Sequence, residues 1–281
     1  MPIVCRVSAM PMHPQPVPLP STGWRWLAES VVGAAHGDTI PCQDECLART
    51  VQVGRSQVWL AACADGAGSA LASDVGARVA CRVVLDSVER LLRERTAMSP
   101  PRRLPQRALK LAFREARLAL VTAAAELELD PRELATTLLV AVAGPTWSVF
   151  AQVGDGVIVV DSAVGYRHVF WPDRGEYVNT TSFLTDETAR LQVAHGPRVE
   201  ALALLTDGLQ DLALDLQARA PHAPFFHGVL AEVRREARPL PELAEHLRKF
   251  LGSAAVRART DDDVSLVLAV RTTTGQHRPA R

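Results

Sequence analysis

The sequence predicts an α+β protein built in layers. Short apolar runs bounded by Gly, Pro and Asp recur along the chain. Two long segments carry apolar residues at three- and four-residue steps. The strands come in runs and do not alternate singly with helices, so antiparallel sheets with helix pairs are expected, not a doubly wound βαβ sheet.

The elements follow in order. Residues 1–20, rich in proline and without the continuous apolar core of a signal peptide, read as a flexible lead-in. "GWRWLAESVVGAAH" offers Trp24, Trp26, Val31 and Val32 to a first strand. "CLARTVQVG" and "SQVWLAACAD" form two more, joined at Gly54–Ser56. From Ala70 to Arg95, Leu71, Val75, Val79, Val83, Val84, Val88, Leu91 and Leu92 mark one helix face, with Ser69 or Ser73 as its cap. A second helix runs from about Pro105 to Leu129, with Leu109, Ala112, Phe113, Ala116, Leu120 and Val121 buried and Asp130-Pro131 as its stop.

Three strands come next, "ATTLLVAVAG", "TWSVFAQVG" and "GVIVVDSAVG". Their links, Gly144-Pro145 and Gly154-Asp155-Gly156, suit antiparallel hairpins, and "YRHVFW" extends the meander. "ALALLTD" is another strand, "PHAPFFHGVLAEVRREA" and "LPELAEHLRKFLGS" are helical, and "DDDVSLVLAV" closes the fold with a last strand. One domain is expected over residues 21–271, with 272–281 as a flexible tail.

Composition narrows the function. Of 281 residues, Lys+Arg and Asp+Glu each number 31, so the basic excess that nucleic acid requires is missing. No apolar run is long enough for a bilayer, and no membrane partner is expected. The five cysteines, Cys5, Cys42, Cys46, Cys63 and Cys81, include no Cys-x-x-Cys pair, which argues against structural zinc and for reduced thiols in the cytoplasm. No GxGxxG or P-loop motif supports nucleotide binding.

Acids border the predicted strands at Asp44, Asp65, Asp155, Asp207, Asp262 and Asp263. Each alone has a plain structural reading: Asp-Gly is a hairpin turn, an Asp before a helix is an N-cap, and Asp261-Asp262-Asp263 is a solvated loop. Together, at one sheet edge, they would repel one another unless a cation lay between them, and an all-oxygen set suits Mg²⁺ or Mn²⁺. A glycine after the acid lets the backbone approach closely, as at Gly66 and Gly208.

The ordered motifs "CQD", "DGAGSA", "ATTLL", "GDG", "LLTDG" and "DDDVSL" resemble the protein phosphatase 2C (PPM-type, metal-dependent Ser/Thr phosphatase) family. Gly33, His36 and "PCQDECL", with "GEYVNTTSFLT" in the middle, resemble a bacterial branch of it. The likeness spans about residues 30 to 270. It implies a four-layer αββα sandwich, two packed antiparallel sheets flanked by helix pairs. It implies hydrolysis of phosphoserine or phosphothreonine in a protein by direct attack of a metal-bridging water. Asp65, Asp207 and Asp262 would be the catalytic acids and would hold two ions with the Gly66 carbonyl and with help from Asp44; Asp155 would hold a third, weaker one. A cognate Ser/Thr kinase or its target is the implied partner.

The chain departs from the family at four places. Gln43 stands for a metal-binding Glu and Thr39 for a phosphate-gripping Arg, leaving His36 as the nearest substitute to bind substrate. Ala67 stands where some members carry a His general acid, and Asp263 replaces an Asn, with an extra charge to adjust metal affinity. Thr136 and Thr137 read as structural, and Asn179 and Thr180 as a loop near the site. The alternative function is a catalytically weak pseudophosphatase that binds phosphoproteins.

Overall fold

The structure is a computed structural model. It describes residues 23–36, 40–54, 56–96, 104–172, 181–235 and 238–272. The lead-in, Cys5, Thr39, Asn179, Thr180 and the tail from 273 lie outside the described residues.

The first half contains β1 (Gly23–Val31), β2 (Glu45–Val53), β3 (Ser56–Ala64), α1 (Ser73–Thr96), α2 (Gln106–Glu126), β4 (Leu138–Ala143), β5 (Trp147–Val153), β6 (Val157–Ser162) and β7 (Gly165–His168). The second half adds β8 (Gln192–Pro197), β9 (Ala201–Leu205), α3 (Gln210–Ala213), β10 (Leu214–Asp215), β11 (Ala220–Pro221), α4 (Ala223–Arg234), α5 (Leu240–Leu251), α6 (Ala254–Arg257) and β12 (Val264–Thr272). Two five-stranded sheets result, ordered β1-β12-β9-β6-β7 and β2-β3-β4-β5-β8, and every pairing is antiparallel.

The central strands are apolar on both faces because each faces a different core. On β3, Val58, Leu60, Ala62 and Ala64 join the core under α1 and α2, while Trp59, Ala61 and Cys63 face the other sheet. On β12, Val264, Leu266, Leu268 and Val270 join the core under α4 and α5, while Val267 and Ala269 face inward. The period of two thus sorts one apolar run between two layers. Trp24 and Trp59 meet between the sheets, ring centroids 5.4 Å apart. Each large side chain so buried contributes about 1.5–3 kcal/mol. This is the expected αββα sandwich.

Several local expectations change. Gly154-Asp155-Gly156 is not a hairpin: β5 pairs with β4 and β8, β6 pairs with β7 and β9, and the link crosses from one sheet to the other. The strand β8 was not anticipated, since "LQVAHGP" carries His, Gly and Pro and lies at a sheet edge, where they are tolerated. On α2, Val121 is 45% exposed and the helix ends before Leu127. Leu71 precedes α1 and is exposed; Ser73 is the first residue of α1, its buried hydroxyl without a partner. Thr272 closes β12, paired with Gly23, and does not open the tail.

Candidate metal centre

The register brings the acids to one end of the sandwich. Glu45 pairs with Ala64, so Asp44 before β2 and Asp65 after β3 lie side by side. Val157 and Leu266 both pair with Leu205, so the residues after β9, before β6 and before β12 meet at the same end. Asp207 and Asp262 come from one sheet, Asp44 and Asp65 from the other, and Asp155 from the link between them.

Asp65, Asp155 and Asp207 present carboxylate oxygens that all lie within 4.8 Å of one another. Burial, then the charges of Asp44, Asp207, Asp262 and Asp155, hold the Asp65 carboxyl well above the usual carboxylate range. Burial, Asp155 and Asp262 push Asp207 up to about 6, against the hydrogen bonds from Asp65 and the Gly208 amide. Asp155 Oδ2 accepts from the Thr181 hydroxyl at 2.9 Å, while its buried Oδ1 has no partner. Three mutually repelling acids with an unsatisfied buried oxygen fit a hard divalent cation.

The backbone beneath them is tightly fixed. Thr137 donates its amide to the Asp65 carbonyl at 2.8 Å, and its hydroxyl accepts from the Asp65 amide at 2.9 Å. The Thr136 hydroxyl donates to that same carbonyl at 2.9 Å. A Cβ on Gly66 would lie 2.6 Å from the Gln43 carbonyl oxygen and 2.9 Å from the Ser73 carbonyl carbon. On Gly208 it would lie 2.2 Å from the Asp263 carbonyl oxygen. Close approach, not turn conformation, therefore requires glycine after these two acids. At the crossover Gly154 does take a left-handed φ of 102°. Gln152 Nε2 spans that link, donating at 3.0 Å to the carbonyls of Gly154 and Gly156, and Gln210 Nε2 donates to the Asp155 carbonyl.

The other expected site residues stand around this cluster. Asp44 is buried behind it, with Oδ2 accepting from the Thr206 hydroxyl at 2.8 Å. Burial pushes it up to about 8, against hydrogen bonds from Thr206 and Ser265. Asp262 is exposed and accepts from the Asp263 amide at 2.9 Å; its charge reaches Asp65 and Asp207, but its oxygens are outside the three-acid group. Ala67 is buried near Ala70, Ala135 and Phe183, where it offers no proton.

Asp263 turns away from the cluster. Its carboxylate accepts from the amides of Gly33 at 2.7 Å and Gln43 at 2.5 Å. His36 Nδ1 lies 3.1 Å from Asp263 Oδ1, an ion-pair distance without hydrogen-bond alignment. The extra charge thus fastens the loop before β2, and one ring nitrogen of His36 faces that carboxylate instead of open space.

Sequence reasoning missed Thr206, Ser265, Gln152, Thr181 and Gln210. A signal existed for three: Thr206, Ser265 and Gln152 are polar residues at or within otherwise apolar strand runs and are buried. Buried polar groups are kept for their hydrogen bonds.

Comparison with known proteins places the chain in one family. A family model described as Protein phosphatase 2C matches residues 32–252. Serine/threonine-protein phosphatase 3 of Escherichia coli (strain K12) is 35% identical over 263 residues, which cover 88% of this chain and 98% of that protein. The catalytic domain of the serine threonine protein phosphatase PstP, solved with two manganese ions, superposes with TM-score 0.58 at 19% identity, covering 90% of this chain and 100% of that one. Stp1 from Staphylococcus aureus gives TM-score 0.53 at 15% identity, covering 89% and 95%.

Proposed function

The chain belongs to the protein phosphatase 2C family and is a metal-dependent phosphoprotein phosphatase, and from that premise we propose that Asp65, Asp155 and Asp207 form the heart of its metal centre. Asp262, the Gly66 carbonyl and Asp44 complete the set, Asp262 from the solvent side and Asp44 from behind. The convergence of three carboxylate oxygens within 4.8 Å carries this reading. The substrates are phosphoserine and phosphothreonine in proteins, with a Ser/Thr kinase or its target as partner. The protein binds two or three ions of Mn²⁺ or Mg²⁺; the manganese in the PstP catalytic domain supports the former. Four free cysteines among the described residues, three of them buried, support work in the cytoplasm.

When bound, divalent cations supply Lewis-acid charge and an activated water at neutral pH. The chain's own residues orient that chemistry. Thr136 and Thr137 fix the Asp65 backbone from two sides. Thr181 holds one Asp155 oxygen and leaves the other buried and without a partner. With alanine at position 67, the leaving-group proton comes from solvent.

The test is hydrolysis of an aryl phosphate by purified protein in chelator, Mg²⁺ or Mn²⁺, beside Asp207→Ala. Turnover should need the cation and fall about a thousandfold in the variant, the several kcal/mol that such charge contributes. Full activity of Asp207→Ala would defeat the assignment.

A further inference from the structure

The acidic centre leaves a question of substrate grip. Phosphoserine peptides are anions, the cluster facing them is acidic until cations enter, and Thr39 replaces the expected arginine. Positive charge beside the centre would add grip to that of the bound cations, and the flank of the site at β7 offers it.

β7 is an edge strand, and its ladder continues past His168 through the Val169 amide, which donates to the Ile158 carbonyl at 2.8 Å. Ile158 is three residues from Asp155, so the chain from Val169 to Trp171 runs toward the site end of the sheet. Here the His168 ring meets Trp171 edge-on at 5.1 Å. The Arg219 guanidinium lies 5.5 Å from the Trp171 ring centroid. Arg219 comes from the turn between β10 and β11, where it adopts a left-handed φ of 50°, uncommon outside glycine and costly. That turn is closed by the Ala218 amide on Asp215 Oδ1 at 2.8 Å.

Charge completes the picture. Nearby Arg234 pairs with Asp161, and Arg235 with Glu232. Arg167 and Arg219, both exposed, have no carboxylate within ion-pair distance among the described residues. Both lie close enough to His168 to lower its pKa, after burial, and its buried Nδ1 has no partner. A half-buried aromatic plate carrying a guanidinium suits an acidic side chain, whose flat stem can lie along the ring while its head meets the cation. The local charge is too small for nucleic acid.

We propose that Arg219 and Trp171 form a docking surface for acidic residues flanking the phosphorylated residue of the substrate protein. The proposal rests on the phosphatase reading and adds to it the class of peptide preferred.

Arg219→Ala and Arg219→Glu are compared with wild type on three substrates: an aryl phosphate, a phosphoserine peptide with neutral flanks, and one with Asp and Glu flanks. Wild type should favour the acidic peptide. Arg219→Ala should lower kcat/KM on it about fivefold, through KM, as expected for one solvent-exposed ion pair. Arg219→Glu should lower it further, the loss should shrink at high salt, and aryl phosphate turnover should stay unchanged. Equal losses on all three substrates, or no loss on the acidic peptide, would overturn the docking surface and leave Arg219 as packing for Trp171. If wild type turned over no substrate, the phosphatase reading would fail. Fluorescence anisotropy of the acidic peptide against wild type and Arg219→Glu then decides the surface by itself: tighter binding by wild type supports it, and equal binding overturns it.

Discussion

Adding one methyl group at Gly66 tests whether the backbone around Asp65 is as tightly held as its contacts require. In Gly66→Ala the new carbon would lie 2.6 Å from the Gln43 carbonyl oxygen and 2.9 Å from both the Ser73 carbonyl carbon and its Cβ. Ordinary contact begins at 3.4 Å, so the first of these falls 0.8 Å short. None of the three obstacles is the free end of a flexible side chain. The strain must therefore move backbone, and Asp65 is the adjoining residue. Overpacking of this kind costs about 1–3 kcal/mol, which for a domain of this size lowers Tm by about 2–4 °C per kcal/mol. A displacement approaching 1 Å at a reacting site costs about a hundredfold in rate. The assay pairs a thermal melt in chelator with metal-dependent kcat/KM. A melt within a degree of wild type, about the resolution of a small ΔΔG, together with unaltered turnover would refute the close-approach argument.

Two further outcomes follow from the same geometry. Asp65, Asp207 and Asp44 all have folded-state pKa values raised above the ordinary carboxylate range, Asp207 to about 6 and Asp44 to about 8. The folded, metal-free protein therefore binds more protons than the unfolded chain, and its stability falls as pH rises from near the unfolded pKa of about 4 toward those values; a Tm series in chelator should show this decline, and Mn²⁺ should abolish it. Asp263→Asn leaves one acceptor oxygen where the Gly33 and Gln43 amides now find two. It should destabilise by about 1–3 kcal/mol and speed hydrogen exchange at Gly33 and Gln43, whereas unchanged exchange would mean the carboxylate does not fasten that loop.

Runs of apolar strands and the two helical stripes were enough to read α+β layers, because each central strand satisfies both cores with one continuous apolar run. β8 escaped because an edge strand need bury little, and its His195 and Gly196 suppress the pattern. The destination of the Gly154–Gly156 link was not legible either. A tight glycine-rich link serves a hairpin or a crossing equally well, and the choice is made by β8 and β9, far along the chain. Of the site, the acids bordering strands were readable, but their ranking was not. Asp155 looked like the weakest member and lies in the central trio, while Asp262 stands outside it. Whether a carboxylate points inward depends on what its neighbours donate to it, as the Thr181 and Asp263 groups show.

The first and last described strands are partners along their entire length: β1 pairs with β12 from Gly23 opposite Thr272 to Val31 opposite Val264. Synthesis runs from one to the other, so β1 must wait for nearly all of the described chain before it has a strand to pair with. Asp262 and Asp263, which bring charge to the centre and fasten the loop before β2, arrive in the same late segment. A nascent or C-terminally truncated chain therefore lacks both a finished sheet and a finished centre. Contacts of such long sequence separation fold slowly, so closing this sheet and finishing the acidic centre are one late event, both set by the arrival of β12.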